Sequence, residues 1–278
     1  MDIVDCHFHV YELERFKYPW PTPGMKIYRN YFPCQFEKAI EGTNVKHAIF
    51  VQCLNSSIAE AEWVIDMASR HNIIKGVVAG LDLTSPSLEE DINKLKPSGL
   101  FKGVRHILDM EKEDWIICDD VSQGLHTLAK YDITFDVLVR PHHLKYVPQV
   151  VSKHTSTKFV INHIAKPPFN TGKLDGWRED MAEIAKYPNV YCKISGLISE
   201  QEPDTWKSID YQPYIDHILS VFGVDRCMYG SDWPVFDMVD ATYKQNLKVT
   251  RNVLSKLSDA DQRKIFKENA IKFYNLEL

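Results

Sequence analysis

Eight short apolar runs, each followed by a stretch of helical spacing, recur from one end of this chain to the other, and that rhythm leaves few folds open. The predicted strands are Ile3–Val10, His47–Cys53, Ile73–Leu81, Phe101–Ile107, Thr134–Val139, Lys158–Ile164, Val190–Gly196 and Arg226–Asp232. Helical spacing is predicted for Pro33–Glu41, for Ser57–His71 (Ile58, Ala61, Ile65 and Ala68 on one stripe), and from Ser85-Pro86 onward. It is predicted again for Asp120–Tyr131, for Leu144–Lys153 despite Pro148, for Trp177–Lys186 and for Tyr211–Val221. Two helices, Val239–Leu257 and Asp259–Tyr274, close the chain, the last capped by Ser258 with Asp261 placed as in a capping box. Strands that alternate with helices pair in parallel through right-handed crossovers. At 278 residues the expected closure is an α/β single domain over residues 1–278, a (β/α)8 TIM barrel. An open doubly wound sheet is the competitor, but it calls for a glycine-rich phosphate loop after its first strand.

That place holds Asp5-Cys6-His7-Phe8-His9 instead. Alternate side chains of a strand share a face, so Asp5, His7 and His9 are expected to point one way and Val4, Cys6, Phe8 and Val10 the other. Two imidazoles on one strand face can reach a single divalent cation, with further N or O ligands to complete a tetrahedral site. A strand carrying two hydrogen-bonded structural histidines satisfies the same motif.

Composition excludes more than it assigns. A formal net charge of −5 with no basic cluster argues against nucleic-acid binding. No apolar run is long enough to span a membrane, and Asp2 and Asp5 interrupt the one place where a signal peptide would start. The six cysteines include no Cys-x-x-Cys pair, which fits a reducing, cytoplasmic setting. The connection Tyr18-Pro19-Trp20-Pro21-Thr22-Pro23-Gly24 is long and aperiodic, as functional loops and plain covers both are.

Active sites of such barrels lie at the C-terminal ends of the strands. The polar residues gather there: His7 and His9; Lys102, Arg105 and His106; Arg140, His142 and His143; His163 with Lys166; Lys193 and Ser195; and Asp232 before Trp233-Pro234.

With these residues in place the chain resembles the amidohydrolase superfamily, and within it the amidohydrolase-2 branch of lactonases and related hydrolases. The matching stretches are Asp5–His9, Phe101–His106, Asn162–Pro167, Lys193–Leu197, Gly230–Pro234 and the closing Glu268–Tyr274. The resemblance implies a metal position lined by His7, His9, His163 and Asp232, with Asp232 handling the proton of the attacking water. It departs from the family pattern at Asn162, where an aspartate is frequent, and it shows no residue to bridge a second metal. One divalent ion, zinc by preference, is therefore expected, and a metal-free mechanism stays open because some relatives need none.

Ester or lactone hydrolysis needs a base for water, a donor for the oxyanion and a proton for the leaving alkoxide. Asp232 is the expected base, with His163, Arg105 and Lys193 the remaining catalytic candidates. Lys102, His106, His143, Lys166 and Trp233 are expected to grip a small polar substrate. The expected reaction is opening of a sugar-acid or dicarboxylate lactone. A metal-dependent decarboxylase and a non-catalytic binding barrel are the rival readings.

Overall fold

The computed structural model describes residues 1–278 except Glu200 and Asp204. Its strands are β1 Ile3–Phe8, β2 Val45–Val51, β3 Ile74–Ala79, β4 Phe101–Ile107, β5 Thr134–Leu138, β6 Phe159–Ile161, β7 Val190–Ile194 and β8 Cys227–Tyr229. Each pairs in parallel with the next, in the order β1 to β8. The seam closes just past the strand ends: Phe8 bridges Trp233, the Asp232 N–H donates to the His7 carbonyl, and the His9 N–H donates to the Trp233 carbonyl, both at 2.8 Å. The architecture is the (β/α)8 TIM barrel expected from the strand–helix rhythm.

The surrounding helices are α1 Pro33–Ala39, α2 Ile58–Ala68, α3 Leu88–Leu95, α4 Asp119–Lys130, α5 Val147–Lys153, α6 Trp177–Ile184, α7 Gln212–Phe222 and α8 Tyr243–Val253. A π turn over Lys264–Glu268 joins α9 Asp259–Arg263 to α10 Asn269–Tyr274. Boundaries shift from the predicted ones where local chemistry intervenes. Pro148 stands in the first turn of α5, so the segment before it, Pro141–Tyr146, is a 3-10 helix instead. Helix α8 starts only at Tyr243, because the Thr242 hydroxyl caps it by accepting from the Gln245 N–H.

Two apolar layers hold the barrel. Outward strand residues pack under the helices, as where Phe8 stacks on Phe36 at 4.4 Å between ring centroids. Inside, Val4, Cys6, Ile49, Val51, Val78, Val160 and Met228 fill the lower barrel. Ala270, Phe273, Tyr274 and Leu276 plug it from below. Full burial of each such large side chain contributes about 1.5–3 kcal/mol.

The β1 strand does not keep the simple alternation. Val4 and Cys6 face the interior, and Asp5 faces outward, accepting from the Tyr243 hydroxyl of α8 at 2.8 Å. A register irregularity between Asp5 and Phe8 then resets the alternation. His7 and His9 consequently both enter the barrel mouth while Phe8 packs outside. The expectation that Asp5 shares their face is corrected. It braces the motif from behind, its carboxylate accepting the His7 and Ser231 backbone N–H groups. Burial pushes that carboxyl up to about 6, against the pull of the Ser231, Tyr243 and His7 hydrogen bonds.

Candidate active site

Three imidazoles surround one carboxylate oxygen at the C-terminal mouth. From Asp232 Oδ1 the distances are 3.2 Å to His9 Nε2, 3.7 Å to His163 Nε2 and 3.8 Å to His7 Nε2. All four residues are buried.

The backbone is distorted to bring them there. β6 stops at Ile161 and does not run to Ile164, because His163, Ile164, Ala165 and Lys166 have φ of 54°, 45°, 60° and 49°. A left-handed conformation costs an L-residue roughly 1–2 kcal/mol, so this turn is carried by the packing around it. Asp232 is also left-handed, at φ 64°. Gly196 makes the turn sterically feasible, since a Cβ there would meet the His163 ring at 2.7 Å. Gly230 leaves the same kind of room for His7, 2.6 Å from where a Cβ would sit.

Hydrogen bonds set which ring nitrogen faces the centre. The His9 Nδ1 lies 2.7 Å from the Val51 carbonyl, which can only accept, so Nδ1 carries the proton. The bare Nε2 of His9 then faces a carboxylate oxygen, lone pair to lone pair. His163 Nδ1 is held by the Ser195 hydroxyl at 2.8 Å, and its Nε2 also points inward. Burial lowers the pKa of all three imidazoles, His163 to about 3 and His7 well below its ordinary value, with Arg105 adding to each shift, Lys193 to those of His7 and His163, and Lys166 to that of His163. The Asp232 carboxyl is lowered too: burial works against its charged form, but the imidazoles of His163 and His9 beside it outweigh burial and hold it well below the usual carboxylate range.

Neutral nitrogens and an ionised oxygen with unshared lone pairs suit a cation. A four-coordinate ion with bonds of about 2.0–2.1 Å needs donors about 3.3 Å apart, near the spacing around Asp232. Donor atoms of His7, His163 and Asp232 lie within 4.8 Å of one another, and they form the one such group among the described residues. His9, expected to join them, lies outside that group, although the Val51 carbonyl behind it is the usual outer support of a ligating imidazole. The residues therefore fit a single divalent ion.

His7 has a further constraint. Lys193 Nζ lies 3.3 Å from its Nδ1 and Arg105 Nη1 3.3 Å from its Nε2. A neutral imidazole has one lone pair, so it cannot accept from both. Lys193 has other partners, Asp136 Oδ2 at 2.5 Å and the Cys6 carbonyl at 2.9 Å. Arg105 is anchored by donating to the Gln52 carbonyl.

A cavity of about 630 Å³ opens above this centre, with His9, His163 and Asp232 at its base. Arg105, Arg140 and Lys166 line its walls together with Asp109 and Trp20. The aromatic, proline-rich connection therefore contributes to the cavity through Trp20, its ends tied by reciprocal Tyr11–Tyr31 backbone bonds.

The remaining predicted contacts go elsewhere, each for a visible reason. Lys102 sits near the start of β4 at the opposite end of the barrel, where its Nζ donates to the Asn275 carbonyl. Lys193 is fully buried beneath His7 and does not line the cavity, so it acts on the site only through His7. His143 caps its own turn, its Nδ1 accepting from the Arg140 N–H. Trp233 is buried against Tyr31 and Phe36. His106 alternates with Arg105 along β4, so it faces a neighbouring cavity and stacks on Trp115 at 3.9 Å.

Two features were missed. Asp136, an acidic residue on the inward face of β5, pairs with Lys193 and takes a hydrogen bond from Asn162. Its signal was a charge inside an otherwise apolar strand. The Asp109–Arg140 pair at 2.7 Å joins the loops after β4 and β5, and no local pattern marks it.

Comparison with known proteins agrees with this geometry. The amidohydrolase family profile matches residues 4–276. An L-fucono-1,5-lactonase of Burkholderia ambifaria is 30% identical over 99% of this chain and 96% of its own length. An L-rhamnono-gamma-lactonase of Scheffersomyces stipitis is 23% identical over 99% and 98%. A crystal structure of a Burkholderia multivorans amidohydrolase with bound zinc superposes with a TM-score of 0.90 at 28% identity, covering all of both chains. The chain belongs to the amidohydrolase family.

Proposed function

We propose that this protein is a hydrolase that opens the lactone of a sugar acid. The observation that carries the reading is the convergence of three neutral imidazoles on the ionised Asp232 at the base of a polar cavity. The lactonase names of the relatives support it.

The cavity also bears on which lactone. Its walls carry Arg105, Arg140 and Lys166 against Asp109, Glu202 and Asp232. Cations and carboxylates balance, which suits a neutral polyhydroxylated ring, with acids to accept from hydroxyls and bases to donate to them.

In the proposed reaction water attacks the ring carbonyl, Asp232 takes its proton, and the carbonyl becomes an oxyanion stabilised by Arg105 on the cavity wall. The ring C–O bond then breaks, the proton passes to the leaving alkoxide, and a hydroxy acid results. His7, His9, His163 and Asp232 would hold a divalent ion, zinc in our reading, which supplies Lewis-acid polarisation and a more acidic water. His163 and His9 keep their lone pairs aimed at the centre through Ser195 and Val51. Lys193 packs beneath His7, itself held by Asp136 and the Cys6 carbonyl.

The test is a pH-stat screen of aldonolactones run in ¹⁸O-labelled water, with metal content measured in parallel. Acid release with one solvent oxygen in the new carboxylate is expected. Carbon dioxide release from a carboxylated substrate, with every lactone untouched, would replace this reading with a decarboxylase.

A further inference from the structure

A second cavity of about 670 Å³ adjoins the first, and the two share the walls Leu54, Arg105, Ile107 and Met110. Part of that shared wall is movable. Met110 is 61% exposed, and an unbranched thioether repacks readily around different ligands. Together the two spaces exceed what one lactone ring fills, since single small-molecule sites run about 300–1,000 Å³.

The lining of the second cavity has a consistent chemistry. Ser56 and Ser57 contribute hydroxyls, and the Ser57 oxygen accepts from the Ala59 N–H, leaving its proton free to donate. Lys17 contributes an ammonium with no ion-pair partner among the described residues, while Glu111 is engaged by His106 at 3.0 Å. His106 stacks on Trp115 with ring planes only 10° apart, and Leu81 and Ile107 supply apolar surface. Hydroxyls, the Lys17 and Arg105 cations, one carboxylate and apolar patches suit a sugar ring, which has hydroxyl edges and an apolar face.

We infer that the second cavity is a subsite for a further sugar unit, so that the substrates include lactones of disaccharide acids, with the lactone ring over Asp232 and the glycosyl unit beside Ser56 and His106. This rests on the lactonase reading of the first cavity. No new chemical step is involved: the same ring ester is cleaved and the glycosidic bond stays intact.

The test compares gluconolactone and galactonolactone with cellobionolactone and lactobionolactone, on the wild type and on Ser56→Trp. Ser56 is exposed, so an indole there fills the second cavity without entering the core. The expected result is hydrolysis of a disaccharide lactone with kcat/KM at least equal to that of its monosaccharide counterpart. In Ser56→Trp that ratio should fall by tenfold or more. Hydrolysis of the monosaccharide lactones alone, or a ratio that Ser56→Trp leaves unchanged, overturns the subsite and leaves the lactonase reading standing. Hydrolysis of neither class overturns the subsite together with the reading beneath it.

Discussion

The floor and the mouth of this barrel are both buried and both polar at the axis, yet they are built on opposite terms. At the floor, Tyr274 donates to Asp136 at 2.8 Å, and Asp136 also holds Lys193 and Asn162, all inside an apolar sleeve closed by α10. Its charges cancel within a few ångströms. At the mouth, lone pairs face one another around Asp232, the backbone is left-handed at His163 and Asp232, and Arg105 Nε and the Glu60 carboxyl are buried without hydrogen-bond partners. A network of paired charges like the floor's, in which Asn162 Oδ1 alone lacks a hydrogen-bond partner, specifies and rigidifies a core, whereas unshared lone pairs and strain await a ligand. The contrast separates the part that holds the fold from the part that acts.

The largest effect should come from breaking the floor. Asp136→Ala leaves the Lys193 ammonium buried and unpaired, which is expected to destabilise the fold by about 3–5 kcal/mol in chemical denaturation. A loss below about 1 kcal/mol would mean that the pair is hydrated and the floor is not the closed network described.

At the mouth the same kind of change should hurt turnover. Asp232→Asn keeps the shape and removes the proton acceptor, so kcat should fall at least about a hundredfold with KM changed far less. Equal losses in kcat and stability would show that Asp232 belongs with the structural carboxylates of the floor.

Glu60 tests whether unpartnered groups on the mouth side weaken the fold. Burial pushes its carboxyl up to about 8, the nearby Tyr18 phenol opposing. Between its unfolded value of 4.5 and about 8 the folded state holds the extra proton. Stability from this group is therefore full below the unfolded value and is lost as pH rises through that window. Glu60→Gln should flatten the fall by on the order of 2 kcal/mol between pH 5 and 8, read from denaturation midpoints. Parallel pH curves for variant and wild type would remove Glu60 from the account.

The smallest effect is expected for Tyr274→Phe, which deletes one hydrogen bond to a charged group, about 1.5 kcal/mol, and should leave KM unchanged. A larger drop in kcat than in stability would show that floor and mouth are coupled through Asp136, Lys193 and His7.

Much of this was legible without coordinates. The strand–helix rhythm determined the parallel barrel because crossover handedness and chain length leave few closures. The spacing of His7 and His9 placed both at one strand end, and Asp232 was visible as the only carboxylate ending the eighth strand. The facing of Asp5 was not legible, because alternation is local and the irregularity in β1 is imposed by its pairing with β2. Lys102 and Lys193 could not be ranked either, since one strand carries residues to the floor and to the mouth alike, and height along the axis depends on register with neighbours. The pairing of Lys193 with Asp136 across 57 residues, and the turn that aims His163 at Asp232, were decided only in three dimensions. Periodicity records which face a side chain takes; which other side chains share that face, and at what depth, is settled by closing the sheet.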